Sequence, residues 1–131
     1  MARKPQDVTE AELSVLRLLW DHEEATIREL TDALYPGGSS SHYATVQKLL
    51  ERLEAKRCVK RNRRRSPHRF SARIGRDELI GRRLESMAQD LCDGSFTPLL
   101  SHLVEQRRLS EQELRMLRSL IEPHADEEDE S

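Results

Sequence analysis

The sequence predicts a mainly α-helical fold with a single β-hairpin, on three observations. Apolar residues recur at helical spacing in three segments before residue 58 and in three more after residue 76. Three of these segments open with a Thr or Ser that is followed three residues later by Glu, at 9–12, 26–29 and 110–113. Between the two sets of helices, residues 59–72 combine β-prone ends with a basic centre rich in turn formers. The predicted order is therefore three helices, a hairpin and a second helical region.

Each of the first three predicted helices has one apolar face. The first begins at the Thr9 cap, the second is short and ends at Pro36-Gly37-Gly38, and the third runs from about Ser41 to about Arg57. The inward-facing residues are Leu13, Leu16, Leu19 and Trp20, then Ile27, Leu30, Ala33 and Leu34, then Val46, Leu49, Leu50 and Leu53. Together these faces are expected to close one small aliphatic core.

The hairpin at 59–72 carries the strongest charge feature of the chain. Val59 and Phe70 suit pairing across an antiparallel ribbon, whereas 62–67 supplies turn formers. Because guanidinium groups crowded without carboxylates repel one another, such a run favours a polyanionic partner, and nucleic acid is the commonest one. A solvated basic loop is the alternative, and the hairpin by itself does not decide between the two.

Two helices, a turn, a longer amphipathic helix and a basic hairpin follow the order of a winged helix-turn-helix. We therefore predict a DNA-binding domain at 1–74, whose third helix enters the major groove while the hairpin tracks phosphates or the minor groove. The candidate DNA-binding residues are Ser41, Tyr43, Ala44, Thr45, Gln47, Lys48 and Arg52 on the third helix, and Arg61, Arg63, Arg64, Arg65 and Arg69 on the hairpin. Packing at the helix edge is the alternative for Tyr43 and Gln47. Glu51 is unfavourable near phosphate, so contact should concentrate in the N-terminal half of the helix.

Charge divides the chain into two parts. Through Arg76 it has 16 Lys and Arg against 10 Asp and Glu, a net charge of +6, whereas from Asp77 onward it has 6 against 14, a net charge of −8. The first part is suited to an anionic partner and the second is not.

The second part predicts a helical dimerisation region at 75–124, with helices at 77–93, 95–107 and 110–121. Three short amphipathic helices without a further layer would leave apolar stripes exposed, so a second copy is expected to cover them and form a homodimer. The candidate dimerisation residues are Leu79, Leu84, Met87, Leu91, Phe96, Leu99, Leu100, Leu103, Leu114, Leu117 and Leu120. Folding of these helices back onto the first part is the alternative. The acidic end, 125–131, is expected to be disordered.

Other residue types argue against an enzyme, a metal site and a cofactor. Cys58 and Cys92 are far apart, and the five His are scattered. The sequence has neither a glycine-rich phosphate loop nor a nucleophile elbow. Neither a signal-peptide core nor an apolar run of membrane-spanning length is present, so we expect a reduced cytoplasmic protein that does not enter a membrane.

Several segments together resemble one family of repressors. They are TEAEL at 9–13, LW at 19–20, ATIREL at 25–30, YATVQKLLERLEAK at 43–56, DGS at 93–95 and LSEQEL at 109–114. This set is similar to the BlaI/MecI family of penicillinase and methicillin-resistance repressors, to which CopY-type copper repressors also belong. The resemblance implies a winged helix that binds a palindromic operator in double-stranded DNA, a C-terminal dimerisation region, and repression of transcription.

The sequence departs from this family at three places. The best-known members are cut by a signal-activated protease at an Asn-Phe bond, and the matching pair here is His102-Leu103. We therefore do not extend cleavage-driven induction from the family to this protein, and the identity of any upstream sensor or protease stays open. No Cys follows Cys92, so copper sensing is not expected. Arg57 stands where the family usually has Gly after the third helix, which predicts a helix end other than the αL glycine geometry.

One rival remains, a winged-helix module that binds another protein without specific DNA binding. Such a module has no need of five arginines on one hairpin. The sequence therefore favours a DNA-binding regulator.

Overall fold

The computed structural model describes residues 7–129, with side chains through residue 123. The elements in chain order are α1 (Glu10–Asp21), α2 (Ile27–Leu34), α3 (Ser40–Ala55), β1 (Val59–Asn62), β2 (Arg69–Ala72), α4 (Arg76–Cys92), α5 (Thr97–Glu105) and α6 (Glu111–Asp129). This order confirms the predicted fold class, a winged helix-turn-helix followed by a helical region. The chain divides into two compact units between Ile80 and Gly81, inside α4 and not at the predicted boundary after residue 74.

Three helices begin at the predicted capping boxes. Thr9 Oγ1 accepts a hydrogen bond from the Glu12 backbone N–H at 3.2 Å, and Glu12 Oε1 accepts one from the Thr9 N–H at 2.8 Å. The pairs at 26–29 and 110–113 make the same exchange at 2.9–3.1 Å. Each exchange satisfies backbone donors that the first helical turn leaves without partners.

The turn before α3 depends on close packing of its backbone. Gly37 has a φ of 73°, which an L side chain rarely adopts. A Cβ at Gly38 would lie 2.8 Å from the Tyr35 carbonyl oxygen and 2.9 Å from His42 Nδ1. The His42 ring stacks on Tyr35 with centroids 4.3 Å apart, and its Nδ1 accepts a hydrogen bond from the Ser39 N–H at 3.0 Å. These contacts fix where α3 starts.

The hairpin is a two-stranded antiparallel ribbon that joins the helices through one further bridge. Val59 lies opposite Ala72 and Asn62 opposite Arg69, so the turn is 63–68. Phe70 and Ala25 exchange backbone hydrogen bonds at 2.8 and 3.0 Å. The segment before α2 thus forms a single β-bridge with the hairpin, which the sequence did not predict.

The core of the first unit is aliphatic with one aromatic side chain. Its buried members include Leu13, Val15, Leu16, Leu19, Leu30, Val46, Leu50, Leu53, Val59, Phe70 and Leu79. Leu79 is a correction, since we expected it in a dimer interface and it is only 6% exposed. The reason is that Trp20 Nε1 donates to the Ile74 carbonyl at 2.8 Å, and the Arg76 guanidinium lies 5.3 Å from the Trp20 ring centroid, which holds the start of α4 on the core. Ala33, expected inside, is exposed.

The end of α3 corrects another expectation. Arg57 has a φ of 62°, the left-handed geometry that the absence of glycine argued against. The Cys58 N–H donates to the Leu53 carbonyl at 2.8 Å and the Arg57 N–H to the Glu54 carbonyl at 3.0 Å. This is the Schellman pattern with an arginine in the glycine position. The satisfied carbonyls and the buried Cys58 outweigh the local strain.

Helix α6 extends beyond its predicted end near Ile121. It runs to Asp129 and contains Pro123, so 125–129, predicted as disordered, continue the helix. Residues 130–131 lie outside the described residues.

Candidate nucleic-acid interface

The outer face of α3 is polar and open to solvent. The exposed residues among the candidates are Ser41, Ala44, Thr45, Gln47, Lys48 and Arg52. Tyr43 is half-buried, and the apolar side of the helix, from Val46 to Leu53, packs in the core. Helical periodicity therefore separates the core from a polar surface as the sequence predicts.

Thr45 has a defined hydrogen-bond role on this face. Its Oγ1 donates to the Ser41 carbonyl at 3.0 Å. Because that bond uses the hydroxyl proton, the oxygen acts outward as an acceptor. An acceptor in this position suits the exocyclic amino group of adenine or cytosine in a major groove.

Arg28 is a cation near α3 that the sequence analysis missed. Its guanidinium carbon lies 5.7 Å from the centroid of the Tyr43 ring. Both residues line a pocket of about 230 Å³ between α2, α3 and the hairpin, together with Gln47 and His68. The signal that could have found Arg28 is its place in the first turn of α2, the helix that precedes α3. Tyr43 is half-buried at the edge of the polar face, so both its proposed DNA contact and its packing alternative stay open.

The tip of the hairpin presents three arginines to solvent. Arg63, Arg64 and Arg65 are all exposed in the turn. The Arg64 N–H donates to Asn62 Oδ1 at 3.0 Å, which makes an Asx turn, where the Asn side chain takes the part of a backbone carbonyl. Among the described residues, Arg64 and Arg65 make no ion pair. These cations are available to an external anion.

The two hairpin arginines in the strands are engaged within the protein. Arg61 Nη2 lies 3.3 Å from Glu54 Oε1, and Arg69 Nη1 lies 3.7 Å from Glu29 Oε1. Their side chains are 20% and 32% exposed. The Thr26 backbone N–H and side chain, and then the charge of Arg69, lower the pKa of Glu29. The structure thus separates Arg64 and Arg65 from the paired Arg61 and Arg69, while Arg63 is exposed and also lies 3.6 Å from Glu54 Oε2.

Other site chemistries find no support in the part of the chain that is described. Among the side chains described, those of residues 7–123, no group of three or more His, Cys, Asp and Glu is arranged to hold a metal ion. None of the helices described there has the length and apolar character needed to cross a membrane.

Comparison with known proteins assigns this arrangement to a family. The model of the penicillinase repressor family matches residues 8–123. The chain belongs to the penicillinase repressor family. Members of this family are DNA-binding transcriptional repressors and not enzymes, which confirms the resemblance and the predicted class of function.

Individual members of the penicillinase repressor family match over most of this chain. A transcriptional regulator BlaI from Mycobacterium tuberculosis is 35% identical over 97 residues, which is 72% of this chain and 70% of the relative. Penicillinase repressors from Staphylococcus aureus and Bacillus licheniformis are 22% and 23% identical, and cover 92% and 95% of this chain and 95% of their own lengths. The match extends through both compact units.

The second unit of this penicillinase repressor family member exposes many large apolar side chains. The exposed ones are Leu84, Met87, Leu91, Phe96, Leu100, Leu103 and Leu120 from the predicted dimerisation set, and Val104, Met116 and Ile121 in addition. Leu99, Leu114 and Leu117 are half-buried. His102 and Leu103 are both exposed within the continuous helix α5.

Proposed function

We propose that this repressor is a homodimer that binds a palindromic operator, with one α3 in the major groove of each half-site and one hairpin on the adjoining backbone. The observation that carries the proposal is the exposed polar face of α3 followed, in the same unit, by a solvent-facing turn with Arg63, Arg64 and Arg65. A rigid helix that bears short polar groups suits base edges, and a cationic turn suits phosphates.

The proposed contacts divide by chemistry. Thr45 and Lys48 read base edges, with Thr45 as an acceptor and Lys48 as a donor. Arg64 and Arg65 are phosphate contacts, since they are exposed and carry no internal ion pair within the described residues. Ser41, Ala44, Gln47 and Arg52 complete the helix face. We also propose that the protein acts in the cytoplasm, where its DNA target would lie.

The proposed homodimer rests on the apolar surface of the second unit. Leu91 is 77% exposed, Leu120 61% and Met116 60%, all within one unit whose apolar side chains are mostly uncovered. A second copy would cover them and hold two α3 helices at half-sites roughly 34–36 Å apart, or a multiple of that.

Selection from a random duplex pool with the full chain tests the proposal. We expect an inverted repeat to be enriched, and binding to it to weaken steeply with salt. The matched control is a variant in which Arg63, Arg64 and Arg65 are all Ala, which should retain little affinity for any duplex. If no sequence is enriched and only weak unspecific binding remains, the proposed function is wrong and the protein-interaction alternative is favoured.

A further inference from the structure

Glu54 places a carboxylate among the cations of the hairpin. It lies in the last turn of α3, and its side chain is 30% exposed. Its Oε1 lies 3.3 Å from Arg61 Nη2 and its Oε2 lies 3.6 Å from Arg63 Nη2. Each carboxylate oxygen therefore faces one arginine of the hairpin, one in β1 and one at the start of the turn.

Arg61 also contacts the aromatic ring of the hairpin. Its guanidinium carbon lies 4.8 Å from the centroid of the Phe70 ring, and Arg61 is the cross-strand neighbour of Phe70. Phe70 is fully buried and bonded through its backbone to Ala25. A continuous series of contacts thus connects the C-terminal end of α3, the hairpin and the segment before α2.

The sign of the Glu54 charge is the informative point. A negative group beside a surface that attracts a polyanion weakens the attraction, so electrostatics alone would favour its absence. Both pairs are open to solvent on at least one side, with Glu54 30%, Arg61 20% and Arg63 65% exposed, and ion pairs that solvent can screen add little to stability, about 0–1 kcal/mol each. Neither attraction to DNA nor stability accounts for a carboxylate that bridges two arginines of the hairpin.

We propose that Glu54 is a positioning residue that fixes the hairpin relative to α3 and thereby contributes to operator discrimination. This inference rests on the proposed function. Glu54 holds Arg61 inside the protein. It also holds Arg63, whose side chain is 65% exposed and can therefore still contact a phosphate. Because both arginines are held in place, the hairpin contacts the DNA phosphates at one fixed position relative to the bases that α3 contacts.

Glu51 provides a matched control on the same helix. It is exposed and, within the described residues, makes no ion pair. Glu51→Gln and Glu54→Gln each remove one negative charge from α3. Electrostatics predicts tighter DNA binding for both, whereas a positioning role predicts opposite outcomes for the two variants.

The experiment titrates full-length variants against a selected duplex and a scrambled duplex at several salt concentrations. For Glu54→Gln we expect affinity for the selected duplex to fall about three- to tenfold, with affinity for the scrambled duplex unchanged or raised. For Glu51→Gln both affinities should rise about twofold. In a variant with Arg61→Met and Arg63→Met, adding Glu54→Gln should no longer lower affinity. Thermal unfolding of each variant separates positioning from loss of folded protein.

Other outcomes count against the inference. Tighter binding of the selected duplex by Glu54→Gln, in parallel with Glu51→Gln, overturns it, and so does an equal loss on both duplexes. If the parent protein enriches no sequence from the pool, the proposed function itself fails, which is a distinct result because no discrimination then exists for Glu54 to support.

Discussion

Lys56 Nζ lies 2.6 Å from Oε1 and 2.9 Å from Oε2 of Glu12, whose side chain is fully buried. Lys56 also donates to the Asp7 carbonyl at 2.7 Å, and Glu12 accepts from the Thr9 N–H. Burial by itself raises the pKa of Glu12, but the hydrogen bonds from Lys56 and Thr9 and the charge of Lys56 lower it overall. The capping glutamate of α1 therefore also binds Lys56, the C-cap residue of α3.

Replacement of Lys56 by Met should destabilise the protein. The substitution leaves a buried carboxylate without its cation, a change that typically costs about 3–5 kcal/mol. Urea unfolding at pH 7 measures the effect. Lys60→Met, at an exposed position of β1, is the control and should change the free energy of unfolding by less than about 0.5 kcal/mol. Equal effects of the two substitutions would contradict a structural role for this pair.

The same pair predicts an acid-sensitive component of stability. The pKa of Glu12 in the folded protein lies below its ordinary value of 4.5. Its contribution is therefore fully present above pH 4.5 and is lost as the pH falls below that value through the folded pKa. Unfolding free energies measured from pH 7 to pH 3 should fall less steeply for Glu12→Gln than for the parent protein. Parallel profiles would show that Glu12 titrates alike in both states.

Arg57→Gly should stabilise the first unit. The left-handed φ of 62° is strained for arginine and relaxed for glycine. Because glycine also gains freedom in the unfolded chain, we expect a net gain of roughly 0.5–1 kcal/mol. Arg52→Gly, an exposed position inside α3, is the opposite control and should lose about 0.5–1 kcal/mol. Thermal or urea unfolding measures both changes in stability. A lower free energy of unfolding for Arg57→Gly would show that the backbone at Arg57 is not strained.

Arg64 and Thr45 should affect DNA binding differently. Arg64→Ala removes a cation from the turn. It should therefore weaken binding to the selected and the scrambled duplex alike, and reduce the slope of log affinity against log salt concentration by about one. Thr45→Val keeps the shape and removes the acceptor, so it should cost about 1–3 kcal/mol on the selected duplex and little on the scrambled one. Anisotropy titrations over a range of salt concentrations distinguish the two. An Arg64 variant that loses only specificity would refute this division.

If the protein is the proposed homodimer, Leu91→Glu should make it monomeric without unfolding it, because the side chain is 77% exposed. Ultracentrifugation at micromolar concentration gives the oligomeric state. Gln89→Glu adds the same charge on α4 without removing an apolar group and should remain dimeric. Leu79→Ala should instead cost about 2–5 kcal/mol of stability, since Leu79 lies in the core. A parent protein that is monomeric at this concentration would rule out the homodimer.

The His102-Leu103 bond should resist the protease that acts on better-known family members. The pair differs from the Asn-Phe bond cut there, and both residues lie inside helix α5. Incubation of the full chain with such an activated protease should leave it intact, whereas the variant H102N/L103F should be cut if the rest of the site is retained. Scission of the parent protein between His102 and Leu103 would refute this prediction.

The sequence alone was sufficient for the order of elements, the three capping boxes and the polar face of α3, because each depends on spacing within one segment. Thr9 and Glu12 find each other across a single helical turn, and exposed Thr45 faces away from buried Leu50, five residues further along α3, through helical periodicity alone. The cationic turn was predictable for the same reason, since its arginines are consecutive.

Only the tertiary structure decided which of these residues are engaged elsewhere. The Glu12–Lys56 pair joins positions 44 apart in sequence, and the Arg61–Glu54 pair depends on how the hairpin folds back over α3. Leu79 belongs to the core because Trp20 holds the start of α4. Arg57 adopts the left-handed region because the bonds around it outweigh its own preference. The spacing of residues within a segment determines its secondary structure and its polar face, whereas contacts between residues distant in sequence determine which side chains are buried or paired.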